Sequence, residues 1–347
     1  MSQVVFAGLS GGVDSATSAA LLKDRGYTVV GAFIKIWSPE FLECTWKEDR
    51  LDAMRVCAAL DIPFREIDLS DEYKKEVIGD MIAEYAKGIT PNPDVLCNRS
   101  IKFGHFANWA FAQGADLIAT GHYAQIEKNE HGAFALQRGK DSGKDQSYFL
   151  YRLDQNDLAR ALFPVGGFEK KEVRALAQKF DLPVSAKPDS QGLCFVGDVS
   201  LKDFLSRFIT LLPGAVLDEK GEVIGTHEGA ALCTVGQRHG FTVGGSTPHY
   251  VVAIDIANNI VRVSTRREDA ARISTTLSDL HWIAAAPALP FGARAQARYR
   301  EEPFDTTVEE RAGTIVAHFE EPRIAAPGQS LVFYDGQTCL GGGVINR

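Results

Sequence analysis

The sequence predicts an α/β protein built on a parallel, doubly wound sheet. Apolar, β-branched runs alternate with helical spacing from Val4 to Thr120, which implies a parallel sheet covered on both faces. The first run passes into the first helix through a glycine pair, Gly11-Gly12. Beyond Pro213 the texture changes to short β-rich runs separated by Gly and Pro turns, so a boundary near residue 200 and all-β segments after it are expected.

Taken in order, Val4 to Leu9 reads as a buried strand. Val13 to about Arg25 has helical apolar spacing through Ala16, Ala19, Ala20 and Leu22. A strand that feeds a helix through glycines is an anion site, because backbone N–H groups and the helix N-terminus both face the ligand. Ser10 and Ser15 add hydroxyl donors, but no lysine follows Gly12 as the usual phosphate loop requires; Asp14 stands there instead. Further strands are expected at Thr28 to Ile36, Pro63 to Leu69 and Asp116 to Thr120. Helices are expected at Glu48 to Leu60, at Asp71 to Lys87 with Ser70 or Asp71 as cap, and at Ile101 to Gln113. Ligands of such sheets bind beyond the carboxyl ends of the strands, so the loops after the first strand, after Ile34 and after Thr120 should open on one crevice.

Gln125 to Gln137 reads as a hairpin turning near Asn129 to Gly132, and Asp141 to Leu150 as the start of a helix with a polar head. Glu169 to Phe180 is an amphipathic helix whose Lys170, Lys171, Arg174 and Lys179 read as a solvated face. A helix around Leu201 to Leu212 leads into the β-rich part. There Arg294-Ala295-Gln296-Ala297-Arg298-Tyr299-Arg300 is a strand of basic and aromatic residues without an acid. It suits phosphate and base contact, or equally an edge strand kept soluble by charge.

At 347 residues, two or three domains are expected. No run approaches the roughly 18 apolar residues of a membrane helix, and the first strand begins at once, so a cytoplasmic protein without a membrane partner is expected. The net charge of −8 weighs mildly against nucleic acid, though a local basic face would suffice. The six cysteines, at 44, 57, 97, 194, 233 and 339, form no Cys-x-x-Cys pair, which excludes a secreted disulfide framework and a structural zinc site. Cys57, Cys233 and Cys339 lie in apolar runs and read as buried thiols. Cys97 and Cys194 differ. Each sits in a predicted polar loop, Thr90-Pro91-Asn92-Pro93-Asp94-Val95-Leu96-Cys97 and Asp189-Ser190-Gln191-Gly192-Leu193-Cys194. The two prolines exclude regular structure in the first loop, and Arg99 would favour a Cys97 thiolate; a bystander thiol is an equal reading. His122 is either a site residue or a solvated loop histidine.

Ser10 to Ser15 resembles the pyrophosphate loop of the ATP pyrophosphatase superfamily. With Thr90 to Asp94 and Cys97, Gly121 to Ala124, Lys144 to Tyr148, Asp189 to Gln191 with Cys194, Gly236 to Arg238 and Pro327 to Gln329, the chain resembles the bacterial tRNA-specific 2-thiouridylases of the MnmA type. The resemblance implies a pyrophosphatase-fold catalytic domain over 1–200, a small central domain over 201–273 and a tRNA-contacting C-terminal β-barrel over 274–347. It implies ATP and Mg²⁺, and a reaction that adenylates the 2-carbonyl of the wobble uridine in Lys, Glu and Gln type tRNAs. Sulfur then comes from a persulfide donor protein. Gly8, Leu9, Ser10, Gly11, Gly12, Val13, Asp14, Ser15, Ile34 and Gly121 would bind ATP. Asn92, Pro93 and Asp94 would hold the target base, with Asp94 as acid/base. Cys194 would carry the persulfide, and Cys97 would release its sulfur, leaving a Cys97–Cys194 disulfide. His122, Lys144, Asp145, Gln146, Arg298, Tyr299 and Gln329 would touch tRNA. No metal-ligating side chains are implied. A small-molecule ligase or amidotransferase on the same loop, and a non-catalytic RNA-binding protein, are the competing classes.

Overall fold

The structure is a computed structural model that describes residues 2–39, 41, 46–130, 132–188 and 200–347. Cys44, Asp189, Ser190, Gln191, Leu193 and Cys194 lie outside the described residues. The first part is a parallel sheet of order β3-β2-β1-β4-β7: Phe64–Asp68, Thr28–Lys35, Val4–Leu9, Leu117–Ala119 and Ala161–Leu162. β1 is apolar and largely buried along its length, as a central parallel strand covered on both faces must be. Its chain neighbours lie on opposite sides of it, β2 on one and β4 on the other, so the switch of strand order falls at its carboxyl end.

Helix α1, Val13–Asp24, and helix α2, Trp46–Ala59, follow β1 and β2 as expected. Helix 70–86 runs continuously through Ser70–Tyr73, a wide π turn at Lys74–Ile78, and Gly79–Ala86. Neither Ser70 nor Asp71 caps it. Asp68, at the end of β3, accepts from the Ser70 N–H at 3.0 Å and holds its hydroxyl.

The segment read as a stiff loop before Cys97 is a helix. Pro93 occupies its first turn, where a missing N–H costs nothing, and Pro93–Leu96 continues into a π-helical Cys97–Phe106 and then Ala107–Ala112. Two further helical expectations shrink. Asp141 to Leu150 is a tight loop with a single 3₁₀ turn, Ser147–Phe149, and the helix from Leu201 ends at Leu205.

The central residues form a sheet of order β10-β9-β8-β12-β11, from Gly214–Leu217 (β8), Val223–His227 (β9), Phe241–Val243 (β10), Tyr250–Asp255 (β11) and Ile260–Ser264 (β12). The C-terminal strands are Arg272–Trp282 (β13), Phe291–Gln296 (β14), Phe304–Arg311 (β15), Thr314–Arg323 (β16), Ser330–Asp335 (β17) and Thr338–Ile345 (β18). They pair in the order β13-β16-β15-β14-β17-β18, and β18 returns to β13, closing a six-stranded barrel. β14 is therefore paired on both sides, not an edge strand, and Ala297 to Arg300 form a turn beyond its end.

The hairpin Ala124–Lys128 (β5) and Phe134–Arg138 (β6) does not join the parallel sheet. It extends the barrel wall through Thr338↔Gln137 and Cys339↔Leu136. One apolar core accordingly runs from Phe106 and Ile118 through Leu136 and Tyr148 to Val332 and Tyr334. Burial pushes the Cys57 and Cys233 thiols up to about 11 and raises that of Cys339, as expected of packing thiols. Cys233 follows a 3₁₀ turn rather than sitting in a strand.

Asp145 fastens the hairpin to the barrel. Its carboxylate accepts from Arg138 Nε at 2.8 Å, the Gly139 N–H at 2.9 Å, and the N–H and hydroxyl of Ser147, both at 3.1 Å. Ser147 Oγ meets the Tyr334 hydroxyl of β17 at 3.2 Å. Asp145→Ala leaves Arg138 and three further donors facing a buried gap. The urea unfolding midpoint should fall by an amount worth about 3–5 kcal/mol, the usual result of breaking one side of a buried ion pair.

Candidate active site

The loop after β1 meets the loop after β4 at van der Waals distance. A Cβ on Gly121 would lie 2.7 Å from the Ser15 nitrogen and 2.9 Å from the Asp14 carbonyl carbon, so only glycine lets the two loops touch. Gly11 has φ +75°, and a Cβ there would strike the Asp49 carbonyl of α2 at 2.6 Å. Gly12 precedes α1 with an extended backbone and no side chain to cap the helix, which leaves first-turn N–H groups for an anion. Ser15 Oγ accepts from the Ser10 N–H at 3.2 Å and donates to the Gly12 carbonyl at 3.1 Å, holding the loop in a tight curl.

Leu9 and Val13 bury their side chains in the core and face the crevice only with backbone, and Gly8 is likewise a strand residue. Ile34 lies one residue past the last β1–β2 pair, Leu9↔Phe33, so its backbone edge toward β1 is outside the ladder. Together these residues form a loop rich in unspent backbone N–H groups at the carboxyl end of β1, beside the Ile34 and Gly121 backbones.

Asp14 is a carboxylate at the end of that loop, and two groups hold it. Lys170 Nζ lies 2.7 and 2.8 Å from its two oxygens, and the Tyr123 hydroxyl donates to Oδ1 at 2.7 Å. The helix Lys170–Lys179 thus turns Lys170 inward, on the same stripe as the buried Val173 and Ala177. That corrects the reading of this helix as presenting only solvated lysines. Arg174 also turns in, donating to the carbonyls of Ser185 and Lys187. Gln146 positions Tyr123 by exchanging hydrogen bonds with its backbone, at 2.9 and 2.8 Å.

The second half of the site is the start of helix 93–112. Asp94 and Cys97 are one turn apart and so share a face. Cys97 is buried, and Arg99 does not serve it: its guanidinium pairs with Asp157 at 3.3 Å. Burial pushes the Asp94 carboxyl up, opposed by the positive charge of Lys102. Lys102 also reaches His122, Nζ to Nε2 at 3.5 Å, while His122 Nδ1 lies 2.6 Å from the Thr120 hydroxyl. Burial holds the His122 imidazolium well below the ordinary histidine range, so the ring is neutral at pH 7. A lysine ammonium only donates, which puts the ring proton on Nδ1, facing Thr120.

His122 is thus buried rather than solvated. Asn92 bonds the Tyr148 side chain, and Pro93 is buried. Gln329 donates to the carbonyls of Thr90 and Pro91 at 2.9 and 3.1 Å, bracing the approach to Asp94 from the barrel. Arg298 is exposed, and Tyr299 packs on Phe149 with ring centroids 4.5 Å apart. Phe149 in turn accepts at its carbonyl from Asn98, next to Cys97. Lys144 is half-buried on the loop that Asp145 anchors. Among the described residues no group of three or more His, Cys, Asp or Glu is placed to hold a metal.

Comparison with known proteins decides the family. Residues 3–198 match the model of a tRNA methyl transferase HUP domain, 202–265 a tRNA methyl transferase PRC-barrel domain, and 272–345 an aminomethyltransferase beta-barrel domain. The chain is 45% identical to the tRNA-specific 2-thiouridylase MnmA of Xanthomonas axonopodis pv. citri, over 98% of this chain and 93% of that relative. The identity to the MnmA of Stenotrophomonas maltophilia strain R551-3 is again 45%, over the same shares. The chain belongs to the MnmA 2-thiouridylase family. Among solved structures, the U34-tRNA thiolase NcsA of Methanococcus maripaludis overlaps at 17% identity and a TM-score of 0.36, covering 59% of this chain and 63% of that one.

Two residues of this MnmA-family site escape the sequence reading. Lys170 had a signal, its place on the apolar stripe with Val173 and Ala177. Lys102 had none, because it reaches Asp94 and His122 through the π-helical register of Cys97–Phe106, which ordinary helical spacing does not anticipate. Gly121→Ala is expected to force Ser15 off its position and weaken ATP binding by about tenfold or more in titration calorimetry, roughly 1.4 kcal/mol, with the fold intact.

Proposed function

We propose that this chain is a tRNA 2-thiouridylase that uses ATP to exchange the 2-oxygen of the wobble uridine in Lys, Glu and Gln type tRNAs for sulfur. The observation that carries the reading is 45% identity, over nearly the full length, to 2-thiouridylases, and Asp94 and Cys97 on one helix support it. A uridine 2-carbonyl is a poor electrophile, and oxide does not leave. Transfer of the AMP group of ATP to that oxygen, with release of pyrophosphate, makes the carbon attackable and gives it a leaving group.

The cradle from Gly8 to Ser15 binds the polyphosphate, and Lys170 neutralises the Asp14 charge beside it. The backbones at Ile34 and Gly121 hold the adenosine. Mg²⁺ fits here as an ion carried by the phosphates and water, since the described residues offer it no cage, and when bound it screens the phosphate charge. Asn92, Pro93 and Asp94 receive the uracil, which must leave its stack to react. Asp94 moves the proton at the pyrimidine, a task suited to a carboxyl raised by burial and trimmed by Lys102.

Cys194 carries the persulfide delivered by a donor protein. Its outer sulfur bonds to C2 and AMP departs with the oxygen. The Cys97 thiolate then attacks the inner sulfur of Cys194. The S–S electron pair goes to the sulfur left on C2, and a Cys97–Cys194 disulfide forms, which a cellular reductant must reopen. Such chemistry belongs in the cytoplasm, where thiols are kept reduced. Among the described residues no helix is long and apolar enough to cross a membrane. Arg298, Tyr299 and Lys144 contact tRNA, while Asp145, Gln146, His122 and Gln329 act by holding the loops that do.

Cys97→Ser and Cys194→Ser, made separately, should each abolish thiolation while leaving tRNA-dependent release of pyrophosphate in place. Mass spectrometry of tRNA hydrolysates reads the outcome. Normal thiolation by either variant rejects the two-thiol scheme, and a methyl mass gain instead of oxygen-to-sulfur exchange would favour the methyl transfer in the family model's description. AMP formation without tRNA would favour a small-molecule ligase. Asp94→Asn should slow the reaction by roughly 10²–10⁴-fold. Lys102→Met removes the charge that holds Asp94 down, so the limb of the pH–rate profile that belongs to Asp94 should move to higher pH.

A further inference from the structure

We infer that the cavity where the parallel-sheet part, the central sheet and the barrel meet is a binding site for a phosphate group, with Arg272 as its chief ligand. The cavity has a volume of about 210 Å³. Gly88 and Thr90 come to it from the first part, Thr234 from the central one, and Arg272, Pro327 and Arg347 from the barrel side. Its lining contains two guanidinium groups and no Asp or Glu side chain, in a chain whose net charge is −8. A concavity lined by two arginines and no acidic side chain attracts anions locally, whatever the total charge.

Arg272 is the telling residue. It is half-buried, and among the described residues no hydrogen bond or ion pair engages its guanidinium. Burial is the one influence on its titration, pushing it down from the ordinary arginine value. Other inward-turned cations of this protein are matched: Arg138 by Asp145, Lys170 by Asp14, and Lys187 by Asp49 and Asp52. A part-buried charge without a counter-ion is costly, and an external anion removes that cost.

The remaining donors suit a phosphate. The hydroxyls of Thr90 and Thr234 lie 2.7 Å apart. One donates to the other, which leaves the second proton free for a ligand. Arg347 donates one N–H to the Lys87 carbonyl at 2.9 Å, fixing its guanidinium at the rim with further N–H groups unspent. Planar guanidinium forks match phosphate oxygens better than a lysine would. Two sources share this chemistry: a phosphodiester of bound RNA, or free phosphate. Only the RNA source rests on the proposed thiouridylase function; the anion site does not. Because Thr90 leads directly into Asn92–Asp94, an occupant would tie the base-binding turn to the barrel.

The test uses the full chain with Arg272→Gln and Arg272→Lys. Inorganic phosphate is titrated against each protein, read by ³¹P line broadening and by the shift in thermal midpoint. Affinity for tRNA is measured across a salt series. Wild type should bind phosphate, Arg272→Gln should lose roughly tenfold or more of that affinity, and Arg272→Lys should keep part of it. If RNA is the source, the slope of log K against log salt for tRNA becomes shallower by about one in Arg272→Gln and stays unchanged in Arg272→Lys. A phosphate effect with an unchanged tRNA slope assigns the site to the free ion. The proposal is overturned if folded Arg272→Gln binds phosphate no more weakly than wild type, or neither binds it, and the tRNA slope stays as it was. Should Arg272→Gln not fold, Arg272→Met is titrated against wild type in its place.

Discussion

A carboxylate, Asp14, stands in the first turn of the helix proposed to receive a polyphosphate, and the rest of the molecule is arranged around holding it. Asp14 left alone would repel the ligand that the N–H groups beside it attract. Lys170 and the Tyr123 hydroxyl hold it instead. Each partner is itself fixed from further out. Lys170 sits where helix Lys170–Lys179 buries its apolar stripe, and Tyr123 is positioned by Gln146. Gln146 lies on the loop that Asp145 ties to the hairpin, and the hairpin is a strand pair of the barrel wall. The charge balance of the proposed nucleotide cradle thus depends on a barrel whose strands lie more than a hundred residues further along the chain.

The other half of the site rests on an irregular helix. Pro93 opens helix 93–112 without wasting an N–H, and the π register from Cys97 to Phe106 then widens it. Asp94 and Cys97 keep their one-turn relation because they precede and begin the wide stretch. Lys102 is swung to where it faces both Asp94 and His122. His122 is kept neutral by burial, so one positive charge, that of Lys102, acts on Asp94 from this side. A protonated imidazole in the same place would add a second cation and pull the Asp94 carboxyl back down toward its solution value.

The parallel sheet was legible because its strands are continuous apolar runs and the helices between them keep ordinary spacing. The cradle was legible because glycine is required there by geometry, at Gly11 by φ and at Gly121 by contact with Ser15. Reading failed where a local rule met a tertiary one. Two prolines in four residues look like a loop until one occupies the first turn of a helix. Lys144 to Tyr148 looks like a helix start, yet Asp145 spends its carboxylate on Arg138, Gly139 and Ser147 and so holds the chain in a loop. The Arg294–Arg300 stretch looks like one strand, but it ends at Gln296 and turns so that Tyr299 can pack against Phe149. No pattern in the chain announced that the hairpin 124–138 would leave the sheet of its own segment for the barrel, since strand partners chosen across two hundred residues leave no local trace.

Position within this architecture also explains how the proposed base-binding turn of Asn92, Pro93 and Asp94 is held in place. Helix 93–112 holds it from the carboxyl side. From the amino side, Gln329 takes the carbonyls of Thr90 and Pro91, Thr90 meets Thr234 of the central part, and the Thr90 N–H donates to Pro327. Gly328, at φ +88°, lets the barrel backbone approach to where a Cβ would lie 2.7 Å from the Thr90 oxygen. The parallel-sheet part, the central part and the barrel therefore all hold one short turn, so a shift of the barrel would be felt next to Asp94 through these contacts. A nucleic acid that presses on Arg298 and Tyr299 pushes on the same barrel. On the proposed function, tRNA contact at Arg298 and Tyr299 and base placement beside Asp94 would be linked through these same contacts.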